Sequence, residues 1–117
     1  KIQLTNLDDA LPQADLITVH INGEECIIGK DEFLKIKRGS FICNASRGGV
    51  ISETDLVSAI KEGVVSGAWI DSYVEEPYFG EMSKLNEIIL TPHIGSFTKE
   101  CRENMEKIAV ENLLKGL

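Results

Sequence analysis

At 117 residues, with 43% hydrophobic and 26% charged content, the chain has the size and composition of one soluble globular domain with its own core. A formal net charge of −7, with no cluster of Lys and Arg, excludes a nucleic-acid partner as a working expectation. No apolar run approaches the roughly 20 residues that cross a bilayer, so no membrane partner is expected either.

Along the chain, residues 6–11 have helical spacing, and Pro12 ends that stretch by removing a backbone donor. The run 16–20, ending at His20, reads as a strand. Phe33, Leu34 and Ile36, closed by Gly39, predict a short amphipathic helix. A second strand is expected over 41–44. Ser52 and Asp55 have the pattern of a helix N-terminus, with Leu56, Val57 and Ile60 on the inner face and a stop at Gly63. A third strand is expected around 67–70, and a fourth over 88–90, just before Thr91-Pro92-His93. Residues 98–117 read as a long helix whose Met105, Ile108, Leu113 and Leu114 form a stripe for burial.

Cys26, Cys43 and Cys101 are odd in number and lack CxxC spacing, so neither a zinc site nor a disulfide framework is expected. They read as reduced cytosolic thiols, with Cys43 in the core, and no metal is expected. The chain begins Lys1-Ile2-Gln3-Leu4, without methionine or a targeting pattern. It is therefore expected to be a piece of a longer polypeptide.

Alternating strands and helices imply an α/β fold, a Rossmann-like parallel sheet with flanking helices. Ligands of such sheets bind beyond the carboxyl ends of the strands. Segments 44–49, 71–77 and 91–96 all follow strands, so they should converge on one rim. Three groups there carry chemistry. The guanidinium of Arg47 can grip a carboxylate by two parallel hydrogen bonds, and Gly48-Gly49 beside it is expected to let a ligand approach the backbone. His93 beside the carboxylate of Glu76 would have its cationic form favoured and one ring nitrogen oriented, as a proton donor needs. Together they suit an acid with a reactive carbonyl. Taken singly, each has a plainer reading as a loop-stitching arginine, a turn histidine or a solvated turn acid.

The stretch NASRGGVISETDLVSAIKEGVVSGAWIDSYVEEP, followed by ILTPHIGSFT, resembles the signature region of the D-isomer-specific 2-hydroxyacid dehydrogenases, over nearly the whole chain from about Leu7. The resemblance implies that Arg47 holds the substrate carboxylate and polarises its 2-keto group, that His93 exchanges the proton of the carbonyl oxygen, and that Glu76 is the acid paired with it. It further implies that Asp71 accepts from the nicotinamide carboxamide, that Ala45, Ser46, Arg47, His93 and Gly95 line the nicotinamide side, and that His20 ends the strand beside the cofactor ribose and adenine. An NAD(P)-dependent cytoplasmic oxidoreductase acting on a small 2-keto or 2-hydroxy acid is implied, with NAD the expected cofactor, NADP equally compatible, and a homodimer the expected assembly.

The chain departs from the pattern in two places. The loop after His20 is short and lacks the usual proline, and no GxGxxG occurs, so the pyrophosphate cradle lies outside this sequence. The resemblance therefore points to the C-terminal half of a coenzyme-binding domain, with its first strand exposed as a sheet edge. Two alternatives stand beside the enzyme: a non-catalytic, nucleotide-sensing module like the corepressors of this family, and an inert fragment.

Overall fold

The structure, a computed structural model, describes residues 3–23 and 25–116. Four apolar runs form a parallel sheet in the spatial order β1 (Leu16–Val19), β2 (Ser40–Asn44), β3 (Val65–Ile70) and β4 (Ile88–Leu90). Parallel strands need a crossover between them, and each crossover supplies helix: α2 (Lys30–Phe33), α3 (Glu53–Lys61) and a 3₁₀ turn over Glu81–Lys84. A single turn, α1 (Leu7–Ala10), precedes β1, and α4 (Lys99–Gly116) follows β4.

The pleat sorts strand side chains onto two faces. On one, Val19, Ile42, Ala68, Ile70 and Ile88 pack against Phe33, Ile36, Leu56, Val57, Ile60 and Met82, which together are the core. Helix α3 is fixed at its start by Ser52, whose hydroxyl accepts from the Asp55 amide at 3.3 Å, and it ends before Gly63 at φ +66°. That matches the expected cap and stop. The register pairs Leu16 with Phe41, Cys43 with Trp69, and Trp69 with Ile89, so these residues share the opposite face. That face is largely uncovered: Leu16 is 59% exposed, Phe41 53% and Ile89 65%.

Three expectations need correction. The second helix is earlier and shorter than predicted, a single turn that leaves Leu34 exposed, because the Glu32 carboxylate accepts from the Gly29 amide at 3.0 Å and starts the turn there. Cys43 is half-buried on the open face of the sheet and not in the core. Helix α4 forms as expected, but none of its residues is buried, and Met105, Ile108, Leu113 and Leu114 all stand 50% exposed or more. An apolar stripe shows that a helix has a face to bury, not what buries it. With α4 projecting, the radius of gyration is 16.6 Å, against about 13 Å for a compact chain of this length.

Candidate active site

Because all four strands are parallel, their carboxyl ends lie along one edge, and the segments after β2, β3 and β4 meet there as expected. The segment after β2 is organised by Asn44. Its buried side-chain oxygen accepts from the Ser46 amide at 3.0 Å and the Ser46 hydroxyl at 2.9 Å, while its amide nitrogen donates to the Arg47 carbonyl at 2.8 Å. The Arg47 side chain is exposed at the end of this turn, with Nη1 donating to the Ser46 carbonyl at 2.7 Å. It takes part in none of the ion pairs among the described residues. Its charge is thus available to an anion.

Gly48 also has a packing task that the sequence did not show. A Cβ there would overlap the Tyr73 carbonyl, so the glycine lets the Arg47 segment pack against the segment after β3. That second segment carries Tyr73, whose hydroxyl stands 2.8 Å from both the Ile70 and Thr91 carbonyls, and Val74, whose amide donates to Glu53 at 2.9 Å. It ends in Glu76 and a cis peptide to Pro77. Nδ1–H of His93 reaches Glu76 Oε1 at 2.9 Å and Oε2 at 3.2 Å. A ring held by Nδ1 presents Nε2 outward, the arrangement that orients a histidine for proton transfer.

His93 itself sits at φ +53°, a region that costs a non-glycine residue on the order of 1–3 kcal/mol and persists only where the surroundings impose it. They do. The His93 amide donates back to the Thr91 carbonyl at 2.9 Å, closing a tight turn. Asp71, 1% exposed, gathers the chain on both sides of that turn: Oδ1 accepts from the Thr91 hydroxyl at 2.5 Å and the Ile94 amide at 2.9 Å, and Oδ2 from the Gly95 amide at 2.9 Å. Burial pushes this carboxyl up, but the Thr91 hydroxyl, the two amides and the neighbouring His93 outweigh it and hold it below the usual carboxylate value. Of about four acceptor positions on a carboxylate, the one left is on Oδ2. A Cβ at Gly95 would crowd that oxygen, standing 3.1 Å away.

The structure thus brings Glu76 and His93 into direct contact, joins Asp71 to the His93 turn, and packs the Arg47 turn against the Glu76 segment. Ser46 is buried beneath Arg47, with Ala45 half-buried beside it. His20 follows β1 on the same edge and is exposed, with Nε2 2.8 Å from its own neighbour Thr18 Oγ1. Sequence reasoning missed Asn44, Trp69, Tyr73 and Thr91 as organisers. Trp69 donates from its indole nitrogen to Thr91 Oγ1 at 2.9 Å; the one tryptophan of the chain, inside an apolar strand-like run where its N–H would need a partner, was the available signal. A cavity of about 490 Å³ lies beside Glu76, walled by Tyr73, Pro77, Tyr78, Leu90 and Pro92. A larger one of about 970 Å³, between the start of α3 and residues 74–81, holds neither Arg47 nor His93.

Comparison with known proteins bears on what this geometry is for. Residues 1–95 match the family described as D-isomer specific 2-hydroxyacid dehydrogenase, NAD binding domain. The chain is 35% identical to a glyoxylate reductase of Thermococcus litoralis, over 96% of this chain and 35% of that protein. It is 40% identical to a D-3-phosphoglycerate dehydrogenase of Archaeoglobus fulgidus, over 99% of this chain and 24% of that protein. Among solved structures, a glyoxylate reductase from Paecilomyes thermophila superposes with a TM-score of 0.88 at 33% identity, covering 93% of this chain and 34% of that one. The chain therefore spans a quarter to about a third of the length of these relatives. With its parallel sheet, its rim of three turns and its match over residues 1–95, the chain belongs to the NAD-binding domain family of the D-isomer specific 2-hydroxyacid dehydrogenases.

Proposed function

We propose that this chain carries the proton-transfer and carboxylate-binding groups of an enzyme that interconverts a small 2-keto acid and a D-2-hydroxy acid with NAD(H). The observation that carries the reading is the His93–Glu76 pair at 2.9 Å on the same rim as an exposed Arg47 without an acidic partner among the described residues.

When bound, a nicotinamide would supply or accept the hydride. Fit to it rests on Asp71 Oδ2, which accepts one bond, from the Gly95 amide, and has a second acceptor position of the kind a carboxamide N–H would use. On this reading Ala45 and Ser46 belong to the nicotinamide side and His20 to the adenine side. The chain has no GxGxxG, so its residues hold the nicotinamide end and not the pyrophosphate. NADP fits the same groups.

Arg47 binds the substrate carboxylate and draws electron density toward the 2-keto oxygen, where negative charge develops as the carbon is reduced. His93 donates from Nε2 to that oxygen during reduction and takes the proton back from the hydroxyl during oxidation. Glu76 keeps the ring in the tautomer that does this. The relatives whose names specify glyoxylate or phosphoglycerate set the size class of substrate to try first. Three free thiols accord with a cytoplasmic, reducing setting, and no helix among the described residues is long and apolar enough to cross a membrane.

The test follows NADH and NADPH absorbance with glyoxylate, pyruvate, hydroxypyruvate and 3-phosphohydroxypyruvate, with Arg47→Ala as the control. Turnover lost in the control is the expected result. Nucleotide binding without turnover on any 2-keto acid would replace the enzyme reading with a nucleotide-sensing module.

A further inference from the structure

We infer that Trp69 is a positioning residue for His93, acting through the line of hydrogen bonds from its indole N–H to the Thr91 hydroxyl and on to the Asp71 carboxylate. The inference deepens the proposed function, since it rests on His93 being the proton-transfer group.

An indole nitrogen can only donate, and a threonine hydroxyl has one proton. With Trp69 donating to Thr91 Oγ1 at 2.9 Å, that oxygen is the acceptor, and its own proton is committed to Asp71 Oδ1 at 2.5 Å. The direction of the line is thereby set from the strand outward. Bonds in such a chain polarise one another, so losing the first donor weakens the second bond and frees the hydroxyl to rotate.

The consequence falls on His93 because the same few groups bracket it. Two residues before it, Thr91 is held at every polar atom: its amide donates to the Ile70 carbonyl at 3.0 Å, its carbonyl accepts from the His93 amide at 2.9 Å and stands 2.8 Å from the Tyr73 hydroxyl, and its side chain sits between Trp69 and Asp71. Just after it, the Ile94 and Gly95 amides end on Asp71. A residue at φ +53° stays there only while both sides hold. The core does not call for an indole at this point, because Trp69 lies on the open face of the sheet with Cys43 and Ile89. A phenylalanine would occupy that face equally well without the donor.

The experiment compares the intact protein with Trp69→Phe, each in the native, Thr91→Val and Thr91→Ser backgrounds, reading amide hydrogen exchange at Ile94 and Gly95 together with 2-keto acid turnover. In the native and Thr91→Ser backgrounds, Trp69→Phe should speed exchange at both amides by about fivefold, the worth of one ordinary hydrogen bond, and leave Leu56 in α3 unchanged. The same substitution should lower kcat severalfold at unchanged KM. In the Thr91→Val background both effects should vanish, since the link through the hydroxyl is already gone. Unchanged exchange, an equal effect with and without the hydroxyl, or a uniform acceleration that includes α3 would each overturn the inference. A protein that reduces no 2-keto acid counts against the proposed function and leaves the exchange result to stand by itself.

Discussion

His93 and Asp71 show how much of the site is decided by single atoms. Asp71 is ionised more easily folded than unfolded, so its ionised form favours the fold. That contribution is whole above the unfolded-state value of about 4 and is lost as the pH falls through the lower value of the folded chain. Melting curves from pH 6 downward should therefore show an acid-side fall that is shallower in Asp71→Asn, and equal slopes would count against this account. Glu76→Gln keeps the shape of the side chain but loses the charge that orients the ring, and should lower kcat by about a hundredfold with little change in melting temperature. Arg47→Lys keeps a charge but loses the fork that matches a carboxylate; its KM for the keto acid should rise at least tenfold, as initial rates would show. Arg47, Glu76 and His93 could be singled out as candidates in the sequence because each stands in a short motif that resembles the family's; their meeting on one rim follows from the parallel strands. Trp69 and Thr91 were not singled out, because their bond exists only through the register of β3 against β4.

At the scale of elements, the strands and α3 were readable because apolar runs, a serine cap and a glycine stop each have a local cause. The extent of α2 and the exposure of α4 were not, since the first depends on a side chain reaching back to Gly29 and the second on what lies against the helix. Gly48 is where two elements must touch, and its role depends on tertiary packing. Gly48→Ala should cost on the order of 1–3 kcal/mol of stability, as overpacking does. Leu56→Ala, on the buried face of α3, should cost about 2–5 kcal/mol. Denaturant titration gives both values. At matched residual stability, turnover should suffer in the glycine variant alone, because only it forces the Arg47 and Glu76 segments apart.

Over the whole molecule, the parallel sheet is covered on one face and largely open on the other, whereas parallel sheets are ordinarily covered on both. β1 adds an edge paired only with β2, and α4 carries its exposed stripe beyond the body of the domain. The 117-residue chain prepared alone should therefore associate, and sedimentation velocity should show species above 12.9 kDa that grow with concentration. A clean monomer across that range would contradict this. The open face also has an optical consequence. Trp69 is the single tryptophan of the chain, so all indole emission comes from one ring, hydrogen-bonded to the turn that presents His93. Reduced nicotinamide absorbs where indole emits, so coenzyme bound at the rim as proposed would quench that emission, and the unlabelled protein would report its own titration.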